Sequence, residues 1–400
     1  MSRVLLGWEL GGGLGHTIRF KRLTAELEKR GHAVSVALPH SYHASQIGLD
    51  RSRIHMVPEW PGLGRGRANP KEPSAITHGE MLASTIFGPV EEIADHVGAW
   101  RKVYADAKPD VVIADYAPGA VLAARGLLPL VNIGDGYTLP PADMTGFPRL
   151  WPGGGELLFD EAEMAQRLSA ALARFGVPPL ASYPDLNRAT TQATLTIPAF
   201  DPYCAVRHEG WLGAGPFTPP AVPPADRKGL FVSLHEDRQF DTLMMEAIAE
   251  SGVGGMVVIP NMLRKTRKML EAAGFETPEA LQPLDRVLER YSGLLHAGGM
   301  GTAIAAAAKG VPQIAVYIDL EKYLTGKALE DRGAGISLNR RGLTKPQLID
   351  AIRRLLAHRS FASHAMELQQ ENENLLRRAA LVDLADMAEA VLQGQAWAPA

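Results

Sequence analysis

Buried-strand and helix patterns alternate from the start of the chain, stop at one proline-dense stretch, and begin again beyond it. RVLLGW at 3–8 reads as a short buried strand, and a glycine run follows it. Ile18, Leu23 and Leu27 then recur at helical spacing in a helix from about 18 to 30, with Gly31 as its stop. AVSVAL at 33–38, IHMV at 54–57, DVVIAD at 110–115 and PLVNIG at 129–134 read as further strands. A long, mostly helical stretch at about 74–106 and the helix AVLAARG lie between them. The interruption is GAGPFTPPAVPPADRKG at 213–229, whose prolines hinder regular structure and mark a linker. After it come the strands LFVSL (230–234), GMVVI (255–259), LLHA (294–297) and QIAVYI (313–318). Helices are expected at 242–251 and 303–309, and the chain is strongly helical from about 344. Such alternation is the mark of a parallel sheet covered on both faces. The expectation is α/β, with two doubly wound, Rossmann-like halves. Ligands of such sheets bind beyond the carboxyl ends of the strands, so the site is expected in a cleft between the halves.

Composition narrows the function. The chain has 400 residues, too many for one ordinary core, with 46% hydrophobic and 21% charged residues. A formal charge of −3 gives no electrostatic reason to expect nucleic acid or an acidic membrane surface. Arg264, Lys265, Arg267 and Lys268 form a local basic cluster that reads as a solvated helix face. Cys204 is the one cysteine, so no intrachain disulfide forms, and it reads as structural. No apolar run reaches ~18 residues, and MSRVLLGWELGGG reads as strand and turn rather than a signal peptide. A cytoplasmic protein is expected.

The glycine run GGGLGH, Gly11 to His16 with Gly13 and Gly15 inside it, lies between the first strand and the first helix. Glycines let backbone approach a ligand closely, and a following helix points its free N–H groups there. A dinucleotide loop is opposed by two features. His16 replaces the third glycine of that pattern, and Pro39, His40 and Ser41, not an acidic residue, follow the second strand. His16 reads either as a structural residue near a helix start or as a general base, which needs an acceptor on its other nitrogen. Asp115, at the end of a strand of the same sheet, is the candidate orienting group. It also reads as an N-cap for a helix over 117–126, and the two roles are compatible.

GGGLGH…LTAELEKRGHAVSVA and PDVVIAD…ARGLLPLV resemble the N-terminal half of the family-one glycosyltransferases, which include plant and bacterial natural-product enzymes. The resemblance implies a GT-B fold, with His16 deprotonating the acceptor hydroxyl and Asp115, 99 residues on, stabilising the imidazolium. The stretch 294–338 resembles the donor-binding signature of the same family, with a glycine turn before a helix and GVP following. By that resemblance Gly298, Gly299, Met300, Gly301 and Thr302 meet the diphosphate, with Ser233 and His296 beside them, and QPLDRVL (282–288) flanks the base. The pattern is altered in four places. Ala297 stands where the family has a phosphate-contacting His, with His296 one residue early. Ala305 replaces a ribose-binding Glu, and Leu281 falls at the position of the stacking aromatic. Glu321 and Lys322 replace the Asp-Gln pair that holds sugar hydroxyls. Glu321 still suits sugar hydroxyls, and Lys322 suits a phosphate or the Glu; a plain surface ion pair is the other reading.

The expected organisation is an acceptor-binding domain over 1–215, a linker over 216–228, a donor domain over 229–375 and a helix over 376–400 returning to the first domain. The expected activity is inverting, metal-independent transfer from a UDP- or dTDP-sugar to a hydroxyl of a small-molecule or lipid-linked acceptor, without a further cofactor. A nucleotide-sugar hydrolase or epimerase, and a non-catalytic nucleotide-sugar-binding protein, are the alternatives. The stretches 60–105 and 135–160 are expected to line the acceptor pocket.

Overall fold

A computed structural model describes residues 1–12, 14–63, 75–234, 241–280, 282–395 and 397. The chain divides into two compact units, one of Met1–Leu212 with Ala379–Ala400, the other of Gly213–Arg378.

Among the described residues the first unit holds six strands: β1 (Arg3–Trp8), β2 (Ala33–Leu38), β3 (Ile54–Met56), β4 (Val111–Asp115), β5 (Leu130–Gly134) and β6 (Thr191–Thr194). Their order is β3-β2-β1-β4-β5-β6, and every pairing is parallel. Side chains alternate between faces along a strand. Val4 and Leu6 therefore join one core with Phe20, Leu23 and Leu27, and Leu5 joins the other with Val112, Ala114 and Trp100. Both faces are covered, so β1 and β4 are almost wholly apolar. The helix Ala380–Leu392 belongs to this unit. Leu384, Met387 and Val391 pack into the core beside Leu23 and Leu27. Arg30 holds the same helix through Asp386 (2.5 Å) and Glu389 (3.1 Å).

The second unit repeats the plan with β7 (Leu230–Ser233), β8 (Gly255–Val258), β9 (Phe275–Glu276), β10 (Gly293–His296), β11 (Gln313–Tyr317) and β12 (Gly335–Asn339). Its order is β12-β11-β10-β7-β8-β9, again all parallel. Counted from its first strand, each sheet runs 3-2-1-4-5-6, the doubly wound Rossmann order. The order reverses between β1 and β4 in one unit and between β7 and β10 in the other. The proline-dense stretch is tied into the second unit. Phe217 N–H donates to the Leu376 carbonyl (2.9 Å), and the buried Lys309 ammonium donates to the Thr218 carbonyl (2.8 Å) and to Glu289 (2.5 Å). Among the described residues no helix is long and apolar enough to cross a membrane.

Candidate active site

The first helix, Leu14–Lys29, starts four residues earlier than its apolar spacing predicts, inside the glycine run. His16 consequently lies in its first turn. Arg19, three residues on, shares the same helix face. Trp8 at the end of β1 is the register partner of Asp115 at the end of β4. The helix that leaves β1 therefore starts beside the Asp115 carboxylate. His16 Nδ1 lies 2.8 Å from Asp115 Oδ2, and Arg19 Nη1 donates to the same oxygen at 2.6 Å. Among the described residues His16 Nε2 has no hydrogen-bond partner, and 19% of the His16 side chain is exposed. The Trp8 indole stacks on the imidazole, with centroids 4.9 Å apart and planes 21° apart.

Asp115 is completely buried. Burial alone would raise its pKa, but the charges of Arg19 and His16 and their hydrogen bonds outweigh it and bring the carboxyl down to about 2. Asp115 does not cap the following helix. That helix is Pro118–Ala124, and its Gly119 N–H donates to Glu9 Oε2 at 2.6 Å. Glu9 Oε1 is also held by His96 Nε2 and Trp100 Nε1, each at 2.5 Å. This buried cluster frees Asp115 for His16 and Arg19.

Gly11 has φ +85°, and a Cβ there would lie 3.0 Å from His16 Nε2. A side chain at this position would push the imidazole away. Gly13 lies outside the described residues. At Gly12 and Gly15 a Cβ would meet none of the described residues within 4 Å. Tyr116, next to Asp115, takes φ +49°, and its carbonyl accepts the Leu10 N–H (3.0 Å), joining the turns that follow β1 and β4. Of the stretches expected to line an acceptor pocket, Trp60 and Trp100 are instead core residues, and Trp60 stacks on His96 at 3.7 Å. Residues 64–74 lie outside the described residues. His78, Tyr116, Asn132 and Thr138 line a small cavity beyond β4 and β5.

In the second unit Ser233 and His296 are register partners at the carboxyl ends of β7 and β10. The helix Met300–Ala308 follows, with Gly299 as its N-cap. Gly298 has φ +80°, and a Cβ there would meet Lys322 Cβ at 2.9 Å, so the turn and the first turn of the helix Leu320–Asp331 pack closely. His296 is buried, and its Nδ1 accepts the Gly298 N–H at 3.3 Å. Burial lowers its pKa to about 4, so the ring is neutral and braces the turn from inside. At Gly299 and Gly301 a Cβ would meet nothing within 4 Å, and neither has a positive φ. Nothing among the described residues requires glycine at these two positions. Met300 is buried, while Thr302, Ser233, Glu321 and Lys322 are half-buried. Lys322 pairs with Asp319 (2.5 Å), whose other oxygen caps the helix through the Lys322 N–H (3.0 Å). The Glu321 carbonyl accepts from Thr325 at 3.3 Å. Ala305 packs in the core with Phe231 and Val311. Leu281 lies outside the described residues.

Two groups at these strand ends escape a reading by apolar pattern. Arg19 is visible only as His-x-x-Arg at helical spacing, and Glu9 only as an acid directly after a buried strand.

A family model described as "Erythromycin biosynthesis protein CIII-like, C-terminal domain" matches residues 276–378, which contain the glycine turn. The elloramycin glycosyltransferase of Streptomyces olivaceus is 25% identical over 309 residues, covering 74% of this chain and 70% of that protein. Among solved structures, a calicheamicin glycosyltransferase superposes with a TM-score of 0.68 at 21% identity, covering 98% of each chain. A spinosyn rhamnosyltransferase complexed with thymidine diphosphate gives 0.66 at 18% identity, covering 97% of this chain and 100% of that one.

Proposed function

Given that this chain is a GT-B glycosyltransferase similar to the natural-product transferases, we propose that it is an inverting enzyme with His16 as general base, working without a metal. The observation that carries this reading is the bond from His16 Nδ1 to the buried Asp115 carboxylate at 2.8 Å, with Nε2 left unpartnered among the described residues. Asp115 accepts the Nδ1 proton, which leaves the Nε2 lone pair free to take a proton. As the acceptor oxygen attacks the anomeric carbon, its proton passes to Nε2. The new glycosidic bond forms while the bond from the anomeric carbon to the phosphate oxygen breaks, and the nucleoside diphosphate leaves with that electron pair. In-line displacement inverts the anomeric centre.

The leaving group needs positive charge. We assign this to the N–H groups at the start of the helix Met300–Ala308, approached across Gly299 and Gly301, and to Lys322 beside Gly298. Ser233, Thr302 and Glu321 are the polar groups we assign to donor hydroxyls and phosphate oxygens, and His296 we assign to bracing the turn. The donor we infer is a dTDP- or UDP-sugar, a reading supported by the thymidine diphosphate complex of the similar rhamnosyltransferase. The acceptor class is a small-molecule or lipid-linked hydroxyl, and the expected setting is the cytoplasm.

A thermal-shift comparison of dTDP, UDP and GDP tests the donor assignment. A nucleotide at 100 times its Kd adds about 2.7 kcal/mol of stability. Stabilisation by dTDP or UDP is expected; no response to any of the three contradicts it. Sugar release from a bound donor in the absence of acceptor, at the rate seen with acceptor, assigns a hydrolase instead.

A further inference from the structure

Asp115 Oδ2 receives two donors, one from the imidazole of His16 and one from the guanidinium of Arg19, and the geometry of this shared oxygen carries a further assignment. We propose that Arg19 is a positioning residue that cancels the charge of Asp115, so that the carboxylate orients His16 without driving it to the imidazolium. The proposal rests on the reading of His16 as the base and deepens it.

A fully buried carboxylate in contact with an imidazole creates a difficulty for base catalysis. An opposite charge within ~4–6 Å stabilises the ionised form of a group by about 1–3 pH units. Left alone, Asp115 would favour the imidazolium, and a base that already carries its proton accepts no other. Arg19 changes the balance. Its guanidinium does not lose its proton in proteins, so the Arg19–Asp115 pair is neutral as a unit. Protonating His16 then places a cation beside a neutral pair that already contains one. The carboxylate still accepts the Nδ1 proton and fixes the tautomer.

Among the described residues, the surroundings of His16 contain little else to supply this balance. From β1, Trp8 packs its indole on the ring. From the helix Ser41–Ile47, His43 lies on Trp8 at 4.6 Å, and burial first, then the proximity of His40 and His16, works against its protonation. From the turn after β1, Gly11 brings backbone and no charge, and Tyr116 flanks that glycine from the end of β4. Asp115 from β4 and Arg19 from the same helix are the ionised groups in direct contact with one another and with the site.

The test needs neither donor nor acceptor, so its failure and the failure of the transferase reading are separate results. The full chain, labelled with 13C and 15N in histidine, is titrated by NMR, with the His16 signals identified from their loss in His16→Gln. In Arg19→Met the change of His16 from imidazole to imidazolium is expected at higher pH than in the parent chain, by about one unit or more. Arg19→Lys, which keeps the charge, is expected to restore most of the parent behaviour. If Arg19→Met does not fold, Arg19→Gln carries the same expectation, because it keeps a donor but not a charge. An unchanged or lowered titration midpoint in a folded, charge-removed variant overturns the proposal and leaves Arg19 a packing residue. A midpoint as high in Arg19→Lys as in Arg19→Met overturns it as well.

Discussion

His16 Nδ1 and Asp115 Oδ2 lie 2.8 Å apart although 99 residues separate them in the chain. The contact follows from topology. β1 and β4 are neighbours at the point where the strand order reverses, and the first helix starts a short glycine-rich turn after β1. In the proposed reaction the pair acts as a unit. General-base assistance contributes ~10²–10⁴-fold, so His16→Ala should lower turnover by that order while nucleotide binding is retained. Asp115→Asn should lose a large part of the same factor, and the double variant little more. Independent, multiplicative losses in steady-state kinetics would separate the two residues.

The same carboxylate makes a statement about acid stability. Asp115 titrates at about 2 in the folded chain, against an ordinary value of 3.8. A depressed carboxyl stabilises the fold above its unfolded pKa, and that contribution fades as pH falls from about 4 to about 2. It amounts to roughly 2 kcal/mol. Urea unfolding across this range should show a shallower pH dependence for Asp115→Asn than for the parent chain. Equal slopes would contradict the charge balance described for the Arg19–Asp115–His16 group.

Buried imidazoles act over a higher window. Burial lowers His78 to about 3 and His296 to about 4, so both resist protonation that the unfolded chain accepts near 6.5. Stability should therefore fall as pH drops from about 6.5 towards 4. His296→Gln should flatten part of that fall, read by thermal unfolding at several pH values.

Gly299→Val tests the glycine turn. Its φ is −67°, and a Cβ meets no atom of the described residues within 4 Å, so the fold should hold. Affinity for dTDP or UDP should nevertheless drop by about tenfold or more, roughly 1.4 kcal/mol, because the side chain fills the space assigned to phosphate. Calorimetric titration with an unchanged dissociation constant would remove the turn from the donor site.

Much of this architecture is legible in the sequence, and the omissions have physical causes. Interior strands such as β1, β4, β10 and β11 are covered on both faces and read as unbroken apolar runs. The strands that escape that reading, β6, β9 and β12, are all at sheet edges. TQAT is polar, FE is two residues long, and GISLN is half-exposed. Apolar spacing places the first helix at Ile18, because Gly15 and His16 are not apolar residues and so do not extend the periodic pattern. His16 and Asp115 are legible because a family pattern surrounds them. Glu9 and Arg19 are not, because each acts on a neighbour brought close only by the folded sheet. At the donor turn the sequence suggests that His296 is a ligand group, yet its ring lies inside the fold beneath Gly298.

The most direct test measures nucleoside diphosphate release from dTDP- and UDP-sugars, with and without a panel of small hydroxylated acceptors, for the parent chain and His16→Ala. The account predicts release that depends on acceptor, forms an inverted glycoside, and slows ~10²–10⁴-fold in His16→Ala with nucleotide affinity unchanged. Turnover of a hydroxyl acceptor by His16→Ala at the parental rate would contradict it.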